Sequence, residues 1–397
     1  SLSNLSDDRM RHAKSGQWWV EHPEYALANN SVAYKDKPDM ETFMREWVSL
    51  VESKSGERGI FNREASQKQA EKNGRRDPKH AFGTNPCSEI ILRDRQFCNL
   101  SEIVVRTEDT LETLKEKVEV ATIIGSLQAT LTDFRYLSKK WKDNTAEEAL
   151  LGVSLTGIMD HPQLSETTDM TATWLDELRE HSIEVNKEWS ERLGINHSAA
   201  ITCVKPSGTV SQLVDSASGI HPRYSDYYIR TVRADIKDPL TTFMLDQGFP
   251  AEPDVMKPES TMVFSFPMKA PQTAVFRNDR TAIEQLEHWL IYQRHWCEHK
   301  PSVTIYVKED EWLEVGAWVW KYFDEVSGVS FLPHSDHTYQ QAPYQEIDEV
   351  AYQRLLAEMP TDTVWTDMIE HEDNTEGSQT MACVGGSCEI VDIGGVS

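Results

Sequence analysis

Asn85, Cys87 and Glu89 fall at alternate positions of one stretch, TNPCSEIILRDRQFC, which runs from Thr84 to Cys98. In extended backbone the side chains at i, i+2 and i+4 point to one side, so this spacing offers an amide, a thiol and a carboxylate to one small volume. The amide can hold a hydroxyl and the carboxylate can take its proton. The thiol can act as nucleophile, hydrogen donor or, after losing one electron, a radical. Taken alone, the triplet reads more readily as a buried Cys at a turn-to-strand junction with two solvated neighbours. Cys98 opens the strand-like run CNLSEIVV, and by itself is a core residue. Its separation of eleven positions from Cys87 is wrong for a compact zinc pair. Two strands of a hairpin would still bring the thiols near each other.

A second group lies in ITCVKPSGTVSQLVDSASGIHP. An apolar strand ends at Lys205, and a turn of Pro206, Ser207, Gly208 and Thr209 leads into a helix beginning near Val210. Backbone N–H groups and hydroxyls at such a junction suit a phosphate. Ser207 is equally well explained as a helix cap with Gly208 as a turn residue, since neither Walker nor dinucleotide glycine spacing is present. Cys203, inside the strand, reads as core. The third group is Cys383 and Cys388 in CVGGSC, where two glycines ease ring closure. A dithiol on a flexible tail suits disulfide exchange. The competing reading, half a zinc site, needs two more ligands, and His334, His337 and His371 lack the spacing for it.

These groups need elements to hold them. METFMREWVSLVESK and ERGIFNREASQKQAEKN have helical composition, and NGRRDPKHAFGTNP is a loop rich in breakers, which puts Cys87 at or just past a loop tip. From Leu111 to Leu137 the apolar residues step by three or four, predicting one long amphipathic helix. Further helical segments are expected around 145–160, 172–193, 280–297 and 346–358. They are separated by the β-rich runs AAITCVK, TMVFSF and SVTIYV, and ALANNSVAY reads as extended. Helices alternating with strands indicate an α/β fold. No internal repeat is visible.

Composition narrows the function classes. Forty basic against sixty-five acidic side chains give a net charge of −25, which opposes any broad nucleic-acid-binding surface. No apolar run approaches the ~20 residues that cross a bilayer, and the chain does not open on a secretory signal. Six cysteines without a regular framework argue against a disulfide-stapled secreted domain. A cytoplasmic enzyme with reduced thiols is the expectation.

Together the three groups resemble the catalytic chain of the ribonucleotide reductases. Within that family the sequence is most similar to the monomeric class II, adenosylcobalamin-dependent ribonucleoside-triphosphate reductases, from NLSDDRMRHAKSGQWW to the tail. The resemblance implies a ten-stranded α/β barrel with a central finger loop, whose Asn, Cys and Glu are matched by Asn85, Cys87 and Glu89. Residues 1–359 would form the C-terminal part of that barrel and residues 360–397 a flexible tail. Pro206, Ser207, Gly208, Thr209 and Val210 match the family's substrate-phosphate loop, and Cys383 and Cys388 its redox pair.

By this resemblance Cys87 would become the thiyl radical, its hydrogen taken by the deoxyadenosyl radical that adenosylcobalamin releases. It would then abstract the ribose 3′ hydrogen. Glu89 would accept the 3′-hydroxyl proton, Asn85 would orient the hydroxyls, and Cys98 would supply one of two reducing thiols. Cys383 and Cys388 would reduce the resulting disulfide and be recharged by a thioredoxin-like partner. Two departures stand out. No Cys precedes Cys87, where the family has a second reducing cysteine, and the family's upstream half is missing. The expectation is therefore the C-terminal part of a longer or split enzyme, with Ser1 an acceptable intein-splicing junction.

Class I chains carry a neighbouring tyrosine pair late in the sequence. Here the only such pair is Tyr227 and Tyr228, while Tyr339 and Tyr344 are spaced apart. Class III chains end in a glycyl-radical motif, and DIGGVS lacks the Arg and Tyr around its glycines. The alternatives are a class I large subunit working with a separate radical generator and, from a different class, a zinc-stabilised binding module without catalysis.

Overall fold

The computed structural model describes residues 1–369 apart from 23, 26, 27, 29, 256 and 335–339. Cys383 and Cys388 lie outside the described residues, as do His337, Tyr339 and His371. The described chain forms two compact units. One contains Ser1–Pro222 and residues 273–334, and the other contains Arg223–Gln272 and the residues from 340 onward. No helix among the described residues is long and apolar enough to cross a membrane.

The first unit is α/β and carries both candidate groups that the structure describes. Asn99–Val104, Leu151–Thr156 and Thr202–Cys203 form a parallel sheet in that order. Helices Leu111–Gln128 and Lys139–Glu148 make the first crossover and Asp169–Leu193 the second, the arrangement that parallel strands require. A second sheet runs in the order Leu2–Ser3, Ser31–Tyr34, Gly59–Asn62, Gly328–Pro333, Thr304–Val307. Its first three strands are mutually parallel, Gly59–Asn62 is antiparallel to Gly328–Pro333, and the last two are again parallel. A parallel bridge between Val204 and Pro301 links the two sheets.

Helix Ala282–His295 fixes this junction. It opens with a capping box between Thr281 and Glu284, which satisfies two of the first-turn donors. Trp289 and Trp296 are fully buried, each expected to contribute about 2–3 kcal/mol of apolar burial. Their indole N–H groups donate to Pro301 O (2.8 Å) and Cys203 O (2.7 Å). The same two side chains that fill the core therefore tether both halves of the Val204–Pro301 junction.

Three predicted elements are corrected. The segment 145–160, expected to be helical, is helical only to Glu148 and then forms the strand Leu151–Thr156, all six of whose residues are buried. A parallel strand covered on both faces loses polar–apolar alternation and is easily mistaken for a helix. The helix predicted from Leu111 to Leu137 ends at Gln128. Beyond it the Thr130 hydroxyl donates to Leu127 O (2.7 Å), an alternative to helix continuation, and Phe134 packs on Phe97 instead, ring centres 5.0 Å apart. The segment ERGIFNREASQKQAEKN likewise divides into strand Gly59–Asn62 and helix Arg63–Glu71, with Asn62 as N-cap.

The second unit is an antiparallel sheet ordered Ala251–Pro253, Thr261–Lys269, Tyr227–Asp235, Tyr344–Glu346. Helices Pro239–Asp246 and Glu349–Glu358 accompany it, and Met244, Met262 and Phe264 are buried in its core.

Candidate active site

Gly83–Thr84 pairs antiparallel with Ile91–Leu92, so residues 85–90 form the tip of a short hairpin. The tip is a turn, because Ser88 N–H donates to Asn85 O (3.0 Å). The extended geometry expected for Asn85, Cys87 and Glu89 is thus corrected. The turn is held by its own side chains, with Ile90 N–H donating to Asn85 Oδ1 (3.0 Å) and the Thr84 hydroxyl to Ile90 O (2.9 Å). Ser88 adopts φ +68°, a left-handed conformation that costs a residue other than glycine about 1–2 kcal/mol.

The segment Lys300–Ser302 holds the other side of the loop. Ser302 Oγ donates to Cys87 O (2.6 Å), Lys300 N–H donates to Glu89 O (3.2 Å), and Lys300 Nζ donates to Ser88 Oγ (2.6 Å). The same segment grips the second candidate group, since Ser302 N–H donates to Val204 O (2.8 Å) and Val204 N–H to Lys300 O (3.3 Å). The cysteine loop and the strand leading to the Pro206–Thr209 turn are therefore brought side by side. Just beneath, Ile91 N–H donates to His299 Nδ1 (3.2 Å) while His299 Nε2 donates to Leu151 O (2.9 Å). With both nitrogens committed and the ring buried, His299 is pushed down to about 3 and stays neutral.

Glu89 is 1% exposed. Burial raises its pKa, and the Asn85 amide together with Lys205 and Lys300 works against the rise. Its Oε2 is buried with no hydrogen-bond partner among the described residues. A buried carboxylate oxygen left open in this way is a place for a ligand's hydroxyl or for water. Cys87 is half-buried, and burial together with the Glu89 charge raises its pKa, with Lys205 opposing. Cys98 immediately precedes the strand Asn99–Val104 and is raised by burial and then by Glu89. Both thiols thus keep their hydrogens at neutral pH, and both lie within the electrostatic reach of the same carboxylate. Cys203 is fully buried, as its strand position predicted.

In the Pro206–Thr209 turn, Pro206 and Ser207 are buried, Gly208 is half-buried and Thr209 is exposed. Ser207 has φ +57°. Ser218 Oγ donates to Pro206 O (2.8 Å) and Ser207 O (3.1 Å), which ties the turn's carbonyls to the protein side. Val210 begins a helix of four residues, Val210–Leu213. Gly219, at φ +57°, lies against Lys205 O where a Cβ would collide, so the turn's backing admits only glycine.

The structure adds residues that the spacing did not point to. Glu102 stands opposite Ser154 in the parallel register. Burial raises its pKa, while the Ser207 hydroxyl, Lys205 and the Thr156 hydroxyl oppose the rise. Lys205 acts on Cys87, Glu89 and Glu102 alike. A lone Glu inside the apolar run NLSEIVV was the available signal for Glu102. Lys300 had none, because a charged residue before Pro301 looks like loop.

Known proteins resemble this chain in fold and in sequence. No family model matches the chain. A solved B12-dependent, class II ribonucleotide reductase superposes with a TM-score of 0.76 at 24% identity, covering 91% of this chain and 54% of that one. The class Id ribonucleotide reductase α subunit of Actinobacillus ureae gives 0.59 at 11% identity, covering 84% and 70%. The fold is thus that of a ribonucleotide reductase catalytic chain. Among curated proteins, the adenosylcobalamin-dependent ribonucleoside-triphosphate reductase of Lacticaseibacillus paracasei is 27% identical over 98% of this chain and 56% of its own length. Those of Lactobacillus acidophilus and Euglena gracilis are 29% and 27% identical, over 78% and 80% of this chain and 45% and 43% of theirs. The chain is a homologue of the adenosylcobalamin-dependent ribonucleoside-triphosphate reductases, and it spans about half the length of the curated relatives it matches.

Proposed function

We propose that the full-length protein carrying this chain reduces ribonucleotides, of the triphosphate form its relatives are named for, to 2′-deoxyribonucleotides by a cysteine thiyl radical. The observation that carries this is the state of Cys87. Burial and the Glu89 charge hold it as a thiol, and a thiol has a hydrogen atom to give where a thiolate has none. A nucleophilic cysteine is ordinarily tuned the other way, toward thiolate. The chemistry that adenosylcobalamin supplies when bound is a radical able to take that hydrogen, and a half-buried, protonated Cys87 fits the demand.

The residues then have distinct tasks. The Cys87 thiyl takes the 3′ hydrogen, and the open oxygen of Glu89 accepts the 3′-hydroxyl proton, its basicity raised by burial. Asn85 orients the hydroxyls, and the Pro206–Val210 segment receives the phosphates. The 2′-hydroxyl leaves as water. Two thiols each give one proton and one electron, which supply the proton of that water and the new hydrogen at C2′, and become a disulfide, Cys98 being one of them and its partner belonging to the full-length protein. Cys87 then returns the 3′ hydrogen and Glu89 the 3′-hydroxyl proton. Cys383 and Cys388 then exchange with that disulfide and are recharged by a thioredoxin-like reductant.

The test uses the full-length protein with a ribonucleoside triphosphate, adenosylcobalamin and a dithiol. Deoxynucleotide should form without a second subunit, and Cys87→Ser should abolish product while nucleotide binding persists. Turnover that demands a separate metal-containing subunit would instead assign a class I mechanism, and turnover retained in Cys87→Ser would refute the radical role.

A further inference from the structure

Lys300 is an unusual residue to find at the centre of a protein. It is fully buried, between the hairpin tip and the strand Gly328–Pro333. An ammonium there loses its hydration, which is unfavourable unless partners replace the water. Its Nζ donates to Ser88 Oγ (2.6 Å) and sits 4.7 Å from the centre of the Phe61 ring. Room for it exists because residue 328 is glycine. A Cβ there would collide with Nζ and come within 3.2 Å of Ser88 Oγ. A buried cation given a glycine for clearance, one hydroxyl and one aromatic face is more than core packing requires.

Its neighbours explain the placement. The Lys300–Ser302 segment contacts three consecutive loop residues, at Cys87 O, Ser88 Oγ and Glu89 O. It bonds at the same time to both backbone groups of Val204, just before the phosphate turn. We propose that Lys300 and Ser302 are positioning residues for the reacting thiol: Ser302 anchors the Cys87 carbonyl, while the Lys300 ammonium fixes Ser88 in its left-handed conformation and places a positive charge opposite Glu89. This rests on the radical-reductase reading of the site.

The electrostatics run in the same direction. Burial pushes Lys300 down to about 7, and Glu89 is the group that works against the fall. Reciprocally, Lys300 and Lys205 are the positive charges that favour ionised Glu89. Glu102 opposes them, and the Cys87, Cys98 and Cys203 thiols face the same carboxylate. Removing the Lys300 charge therefore leaves Glu89 protonated to higher pH.

The experiment is an infrared titration of the full-length protein, with the Glu89 carboxyl band assigned by its loss in Glu89→Gln. In Lys300→Met the band should persist to higher pH than in wild type. In Ser88→Ala, which removes the hydrogen bond and keeps the charge, it should titrate as in wild type. Gly328→Ala, whose methyl displaces Nζ, should shift the band in the same direction as Lys300→Met and serves if that variant does not fold. An unmoved band in the folded charge variants overturns the assignment, because a packing role would leave Glu89 untouched. For Ser302→Ala, kcat should fall by roughly tenfold or more with KM little changed, and an unchanged kcat overturns its part. The infrared readout needs no turnover, so it is decided separately from the ribonucleotide reaction itself.

Discussion

Replacing Glu89 by Gln separates its two influences on the site. The substitution keeps the size of the side chain and removes both the proton acceptor and the negative charge. A positioned general base contributes about 10²–10⁴ in rate, or roughly 2.7–5.4 kcal/mol of barrier at 1.36 kcal/mol per factor of ten. Glu89 is 1% exposed with an oxygen left open, so water is poorly placed to substitute and the loss should lie toward the upper part of that range. The charge has a second effect with a definite sign. Glu89 raises the pKa of Cys87 and Lys205 lowers it, while burial is the largest cause of the rise. In Glu89→Gln the thiol should ionise at lower pH than in wild type, yet still above an ordinary cysteine. Two assays read this in the full-length protein: steady-state deoxynucleotide formation, and the pH dependence of Cys87 alkylation by iodoacetamide followed by mass spectrometry. Turnover within tenfold of wild type would remove Glu89 as the base. An alkylation midpoint that stays put or rises would refute the placement of its charge beside the sulfur.

Two further perturbations test the scaffold. Glu148 accepts from Arg76 Nε (3.1 Å) and Nη2 (2.9 Å) and from Gln96 Nε2 (2.5 Å) in a buried network behind the cysteine loop. Glu148→Gln leaves the Arg76 charge uncompensated and should cost about 3–5 kcal/mol, seen as a fall in Tm of about 5–10 °C, and a shift under 2 °C would contradict it. His299 is depressed from 6.5 to about 3 in the fold, so protonation favours the unfolded chain. Its contribution is fully present above about pH 6.5 and is lost as pH falls toward 3. The stability gap between wild type and His299→Leu, measured by denaturant titration, should therefore narrow from pH 7 to pH 5, and a gap that widens would show the imidazole is not held neutral.

What could be read directly from the chain was local. Asn85, Cys87 and Glu89 sit within five positions, and their chemistry follows from residue type and nearness whether the backbone is extended or, as found, turned. The Pro206–Thr209 turn was legible because proline and glycine constrain the backbone on their own, and Asp169–Leu193 because 25 residues of helical pattern leave no competing period. Leu151–Thr156 was misread because a strand buried on both faces shows no alternation.

The sequence by itself determined the reactive residue types, their spacing, the α/β alternation and the resemblance that ties them to ribonucleotide chemistry. Only the tertiary structure decided what surrounds them. Lys300 and Ser302 reach Cys87 and Ser88 across more than two hundred residues of chain, Glu102 comes from the strand Asn99–Val104, and Lys205 lies just past the end of the strand Thr202–Cys203. The physical reason is range. Turn and helix preferences act over a few residues, whereas burial and Coulomb interactions depend on distances through space that exist only once the strands are paired.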